Sequence, residues 1–413
     1  MSARHRVAIV ATHPIQYYVP WYRALARGVD LDVYFCHRQT AEGQAAAGFD
    51  VPFEWDVPLF DGYRHTFLTN RSRRPSTQSF SGCNTPEIAS IVTREAFDAV
   101  IVHGWSTLSY WQTMRACWGT GTPVLVRGDS SLATPRPAWR RAVKWPLFRA
   151  FIPRFDGYLI VGTSAKEYLL HYGADSSRCW DAPHAVDNEF FASRADALQA
   201  DRLALRERFG LPSDAIVALF VGRLVAGKGQ DDFVRAVARA AVRAPQIVGL
   251  VVGDGPLREQ ATRWAAGMGA PVRFAGFLNQ TEMARAYAVA DLLVVPSESE
   301  TWGLVVNEAM ACGLPAVVSD RVGCARDLVL PGVTGDIFRV GDADRLAEIL
   351  VTLAADSLRR HRMGEAARRH IAAFDITKAA EGTFKAVDAV ALRRRGSTRR
   401  LEAGDISHGP SIS

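Results

Sequence analysis

Short apolar runs alternate with longer amphipathic stretches along most of the chain. Runs bounded by Gly, Pro or polar residues read as buried strands, and stretches with apolar positions three and four apart read as helices. The first half predicts strands at 6–11, 31–36, 99–102, 123–126 and 158–161. Helices are expected between them, through residue 26 and at 86–95, 108–117 and 165–172. A helix at 201–209 leads into a second series, with strands at 216–221, 248–252, 272–274, 292–295, 316–320 and 335–338. Its helices are expected at 231–242, 257–268, 281–288, 303–312 and 343–354, and two more at 357–371 and 375–393. Such strand–helix–strand alternation builds parallel sheets. The fold class is therefore α/β, with two Rossmann-like βαβ domains facing each other across a cleft, at 1–190 and 191–374.

Three stretches break the pattern. Residues 40–86 are loop-rich and carry the basic run Arg71-Ser72-Arg73-Arg74. An irregular stretch of that length is commonly functional. Residues 136–154 interleave Arg and Lys with Trp and Phe. This reads either as an amphipathic helix with snorkelling cations or as a helix that docks on an anionic membrane face. Residues 394–413 lack apolar periodicity and read as a disordered tail.

Composition narrows the class only a little. Of 413 residues, 48% are apolar and 22% charged, as in ordinary globular proteins. The net charge of +6 is mildly basic, and no nucleic-acid motif accompanies it. The six cysteines form no CxxC pair, which excludes the usual zinc and disulfide frameworks. No metal site is expected. No run has the length of a membrane span or a signal peptide. A cytoplasmic protein, resting at most on the inner membrane face, is the expectation.

The chemistry concentrates in the second half. Ser297–Pro315 reads SESETWGLVVNEAMACGLP and sits between two strands. Glu300 lies in the loop and Glu308 in a helix that is otherwise apolar, so Glu308 is a buried carboxylate that needs partners. Gly303 allows close backbone approach where the helix begins, and a helix N-terminus favours an anion. Upstream, GRLVAGKG at 222–229 nearly matches the phosphate loop G-x4-G-K-[ST] but has Gly229 where a magnesium-binding hydroxyl belongs. No P-loop helix is expected to open directly at Gly229, the next helix being placed at 231–242, which argues against a nucleoside triphosphatase. Arg223 and Lys228 remain, two cations suited to phosphate. Gly253 opens GDGP after the next strand, and Gly276-Phe277-Leu278 stands one strand further on, able to offer backbone groups to a nucleobase.

Together GRLVAGKG, VGDGPLR, FAGFL and the E-x7-E segment resemble the retaining GT-B glycosyltransferases of family GT4, the bacterial group 1 enzymes, over about residues 215–340. The resemblance implies a nucleotide-sugar co-substrate (UDP-, GDP- or dTDP-linked) and no other cofactor. It implies that Arg223 and Lys228, with Gly222 and Gly253 beside them, bind the diphosphate. Glu300 and Thr301 would meet the transferred sugar, Gly303 and Leu304 would offer N–H groups to phosphate, and Glu308 would take the ribose. Phe277 and Leu278 complete the expected donor set. It further implies that the last helix, 375–393, crosses back to the first domain. The expected activity is transfer of a hexose-type sugar in polysaccharide, glycolipid or glycosylated-metabolite synthesis. A GT-B sugar-nucleotide epimerase and a non-catalytic nucleotide-sugar-binding protein are the alternatives.

The first half carries less. Its opening loop, THPIQYY, lacks the Gly pair that many GT4 members use against phosphate. His13 and Gln16 are the sugar or acceptor candidates there. His103 and Asp129, each following a strand, are candidates to orient the acceptor hydroxyl. That acceptor is expected to be a saccharide, a lipid-linked group or a small molecule.

Overall fold

The apolar runs do become strands, in two separate sheets. A computed structural model describes residues 4–133 and 137–405; residues 134–136, where the basic aromatic region begins, and 406–413 of the tail lie outside the described residues. The first sheet comprises β1 (Arg6–Ala11), β2 (Asp30–Phe35), β3 (Arg64–Phe67), β4 (Ala99–Val102), β5 (Val124–Gly128), β6 (Gly157–Ile160) and β7 (Cys179–Asp181). The second comprises β8 (Ile216–Val221), β9 (Ile247–Val252), β10 (Val272–Gly276), β11 (Leu292–Val295), β12 (Ala316–Ser319) and β13 (Gly335–Phe338). The strand orders are β3-β2-β1-β4-β5-β6-β7 and β10-β9-β8-β11-β12-β13, and the pairings are parallel throughout. Parallel sheets are covered by helices on both faces, hence the unbroken apolar runs of β1, β4, β9 and β11.

The order of the second sheet decides where its chemistry falls. It reverses between β8 and β11, and ligands bind outside the carboxyl ends of strands at such a switch point. The loops leaving β8 and β11 are the Gly222–Gly229 loop and the Ser297–Gly303 loop. Two segments about seventy residues apart in sequence thus become neighbours because of strand order. The first sheet reverses between β1 and β4, which brings together the THPIQYY loop and His103.

The two domains meet at specific contacts. Trp302 is buried against Gly162, where a Cβ would lie 2.2 Å from its ring. Asp327 accepts from the Thr163 hydroxyl at 2.6 Å and backbone N–H at 3.1 Å. Arg326 and Glu167 form a two-pronged pair at 2.8 and 2.9 Å. The last helix, Ile376–Asp405, returns to the first domain and packs Ala379, Ala380, Ala386, Val387 and Val390 among Trp21, Tyr22 and Leu25.

Three expectations are corrected. The chain is helical to Asp405, so the tail predicted as disordered from 394 continues the last helix for twelve residues. A helix, Gln230–Arg243, does open directly after the cationic loop, with Gly229 as its left-handed N-cap at φ 73°. A Cβ at Gly229 would fall 2.2 Å from the Pro296 carbonyl, so glycine there lets the two loops touch. The loop-rich stretch contains an edge strand, β3, and a π-helical turn at Ala45–Phe49.

Candidate active site

A cavity of about 350 Å³ lies between the two sheets at their carboxyl ends. It is lined by Gly222, Arg223, Lys228, Gly253, Phe277, Leu278, Glu300, Thr301, Gly303, Leu304 and Glu308, which is every residue of the expected donor set. Gln16 and Asp129 line it from the first domain.

Its charged groups are partnered within the chain. Lys228 pairs with Glu300 across the two loops. The Arg223 guanidinium lies over the Phe49 ring at 5.6 Å, a cation–π contact with the first domain. Glu308 is 2% exposed. Its Oε1 accepts from the Tyr17 hydroxyl at 2.6 Å and its Oε2 from the Tyr287 hydroxyl at 2.5 Å. Burial pushes the Glu308 carboxyl up to about 7, against the opposing pull of both tyrosine bonds. The partners it requires are therefore phenols, one from each domain. Each carboxylate oxygen still has a second lone-pair direction, so the group can accept further hydroxyls.

Backbone shape serves the same end. Gly303 holds φ 100° as N-cap of the helix Leu304–Ala311. A side chain there would be strained and would come 3.1 Å from Val322 Cγ1. Gly253, at φ 133°, lies so close to the Gly222 carbonyl that a Cβ would sit 2.0 Å from its oxygen. This contact holds the loops after β8 and β9 together.

The acceptor candidates divide. Asp129 and Gln16 face the cavity. Among the described residues His103 does not line it: Tyr18 stacks on its ring at 4.6 Å, and Nε2 lies 3.4 Å from the Tyr22 hydroxyl. Burial, then the charge of Arg127, lowers its pKa to about 3, which favours the neutral imidazole. His13 is likewise absent from the lining; its Nδ1 is 3.0 Å from Thr12 Oγ1, and burial followed by His37 takes it to about 4.

A group that sequence reasoning passed over stands in its place. His184 is buried and lines the cavity, with Nδ1 3.5 Å from Arg127 Nη1 and Nε2 3.9 Å from Asp129 Oδ2. Burial and Arg127 keep it neutral, far below the usual histidine range. Arg127 is itself buried, donates to the Pro183 carbonyl at 3.0 Å and lies over Trp21 at 5.0 Å. The signal was the PHAV run after β7, a histidine at a strand's carboxyl end. Asn307 donates to the His184 carbonyl at 3.2 Å and accepts from Trp302 Nε1 at 2.9 Å, linking this cluster to the E-x7-E helix. Among the described residues no group of acidic, His or Cys side chains could hold a metal ion. Asp342, of the D-x-D at 342–344, caps a helix by accepting from Arg345 N–H at 2.9 Å.

Comparison with known proteins identifies the family and the fold. Residues 201–370 match the family described as glycosyl transferases group 1, and residues 22–190 match glycosyltransferase family 4. A D-inositol 3-phosphate glycosyltransferase of Geodermatophilus obscurus is 35% identical over 254 residues, 59% of this chain and 54% of that protein. The chain thus spans about half the length of the curated relatives it matches. Among solved structures, a glycosyltransferase from Rickettsia africae superimposes with a TM-score of 0.71 at 15% identity, covering 94% of this chain and 98% of that one. HepE of Anabaena, in complex with UDP and glucose, gives 0.67 at 18% identity, covering 93% and 99%. The overall fold is GT-B. With both domains matched in order, the chain belongs to the group 1, family 4 glycosyltransferases.

Proposed function

We propose that this protein transfers a sugar from a nucleoside diphosphate sugar to an acceptor hydroxyl, with retention at the anomeric carbon. One observation carries the reading: a single interdomain cavity gathers Arg223, Lys228, Glu300, the Gly303 helix start and Glu308. The span from Gly303 to Glu308 along the helix is about 7.5 Å, enough for the diphosphate and ribose to lie along it. Glu308 accepts the ribose hydroxyls on its remaining lone pairs. Arg223, Lys228 and the N–H groups at Gly303 and Leu304 stabilise the charge that grows on the departing diphosphate. Lys228 exchanges Glu300 for phosphate, and Glu300, so released, accepts sugar hydroxyls. The acceptor hydroxyl attacks from the face that the diphosphate leaves, and a departing phosphate oxygen takes its proton. Asp129, Gln16 and neutral His184 line the acceptor side. The UDP bound to the HepE neighbour supports a nucleotide-sugar donor in this fold. The acceptor named for the Geodermatophilus relative is not carried over.

Incubation with UDP-, GDP- and dTDP-sugars and a panel of acceptor alcohols tests this. Nucleoside diphosphate release with an α-linked product from an α-linked donor is the expected result. An isomerised donor without transfer would establish an epimerase instead, and binding without turnover a sensor.

The helix Ala138–Phe151 supports a second element of the reading, contact with an anionic membrane face. Trp139, Val143, Trp145 and Leu147 are exposed, at 64, 58, 49 and 63%, beside exposed Arg140, Arg141 and Arg149. Apolar side chains left in water among cations suit an interfacial helix. Among the described residues no helix is long and apolar enough to cross a membrane. Co-sedimentation with phosphatidylglycerol vesicles, weakening as salt rises, is expected; binding to neutral vesicles alone would remove the electrostatic part.

A further inference from the structure

The loop-rich stretch of the first domain reaches across the cleft and seats on the donor loops. Gly48, at φ 100°, lies against Arg223, where a Cβ would be 3.2 Å from Nη1. Phe49 carries the Arg223 guanidinium on its face and meets Phe277 edge-on at 5.9 Å. Phe53 packs on Phe277 at 4.3 Å and on Trp55 at 4.9 Å. Beyond the aromatics the segment is tied down by polar contacts. Asn279 Nδ2 donates to the Glu54 carbonyl at 2.7 Å, and Thr281 donates through both its N–H and its hydroxyl to Asp56. Phe49 and Trp55 line the cavity together with Phe277, Leu278 and Gln280.

We propose that residues 48–56 form the wall of the nucleobase pocket opposite Phe277 and Leu278, so that the acceptor domain reads the donor's base. This rests on the donor-site reading above. A base has two apolar faces and polar edges. The backbone at 277–278 supplies the edge contacts, while Trp55 and Phe49 exclude water from the faces. Phe49 has a second task, since its ring positions the guanidinium that meets the diphosphate. Trp55 meets Phe49 edge-on at 6.3 Å and stands one ring further from the Arg223 guanidinium, so its own task is the base. Base selectivity is then shared by two domains, and full donor affinity requires the closed arrangement.

The test compares wild type, Trp55→Ala and Phe49→Ala by calorimetric binding of UDP, GDP, dTDP and inorganic pyrophosphate, with circular dichroism to check the fold. Base–aromatic contacts are lost on alanine substitution at a cost of about tenfold in affinity. Trp55→Ala should weaken the best-bound nucleoside diphosphate about tenfold and leave pyrophosphate unchanged. Phe49→Ala should weaken both. Trp55→Ala binding nucleotide as wild type does, or losing nucleotide and pyrophosphate equally, overturns the assignment of Trp55 to the base. If wild type binds none of the three nucleotides, the donor-site reading itself fails, a result distinct from either.

Discussion

Removing the Tyr17 hydroxyl is the most informative single perturbation. Tyr17→Phe keeps the ring and deletes a bond to a buried carboxylate that arrives from a segment 291 residues away. A hydrogen bond to a charged group contributes about 1.5–3 kcal/mol. With 1.36 kcal/mol per pKa unit, its loss should raise Glu308 by about one to two units from its already elevated position near 7. In wild type the raised carboxyl means that the folded chain holds a proton the unfolded chain has released between about 4.5 and 7. Stability therefore declines as pH rises through that window, and is fully present only below it. Donor binding runs the other way, because the ionised carboxylate is the better acceptor of two ribose hydroxyls. The affinity for an intact nucleoside diphosphate sugar, which has no terminal phosphate monoester titrating near 6, should rise with pH and level off above about 7. Tyr17→Phe should move that inflection up by about one to two units, and Glu308→Gln should abolish it. Calorimetric titration from pH 5.5 to 9 reads all three. An inflection in Tyr17→Phe at the wild-type position, or one that survives in Glu308→Gln, would refute the assignment of ribose recognition to this carboxylate.

Three further outcomes are expected. Lys228→Ala should lower kcat/KM by about 10²–10³-fold, the usual loss for one donor of transition-state charge stabilisation; unchanged turnover and unchanged nucleotide affinity would show that the diphosphate lies elsewhere. Gly303→Ala forces a side chain into φ 100°, at a cost of about 1–3 kcal/mol, so the apparent Tm should fall and donor affinity weaken, and a variant equal to wild type in both would contradict the close approach at this helix start. His103 and His13 are held neutral by burial, so the unfolded chain takes up protons below about 6.5 that the folded chain refuses, and stability is lost as pH falls toward 4; His103→Asn should flatten the decline of apparent Tm between pH 6 and 4.5 and leave kcat near wild type, whereas a large loss of kcat would return His103 to the acceptor site.

The second domain was more legible than the first because its signals are local. Apolar runs buried on both faces need no partner to be recognised, and the residues after β8, β9, β10 and β11 reach the site simply by following strands. Glu308 announced itself as a carboxylate in an apolar helix, but its partners did not. Tyr17 and Tyr287 lie in the two different domains, and nothing in their neighbourhoods distinguishes them from ordinary core phenols. β3, with the sequence RHTF, is a four-residue edge strand whose side chains are mostly exposed, so it has no apolar run to find. The same physics explains why His103 stands outside the cavity lining. A position after a strand suggests access to the cleft, yet access depends on whether a ring from the neighbouring strand's loop lies on top, and Tyr18, after β1, does.

The charged groups of the cleft each have a partner within the chain, and this bears on how the proposed donor would be recognised. Lys228 faces Glu300, Arg223 lies on Phe49, and Glu308 takes one phenol from each domain. An isolated buried charge costs several kcal/mol, so internal partners for these groups lower the cost of holding them in the cleft. A nucleoside diphosphate sugar offers a replacement for each: phosphate for Glu300 at Lys228, sugar hydroxyls for Lys228 at Glu300, and ribose hydroxyls on the open lone pairs of Glu308. A free sugar or free phosphate replaces only one side of the Lys228–Glu300 pair and strands the other. Preference for the whole donor over its fragments then follows from the pairing itself. Two of these partners, Tyr17 and Phe49, come from the first domain, so a donor bound at Glu308 and Arg223 would be held through contacts of both domains.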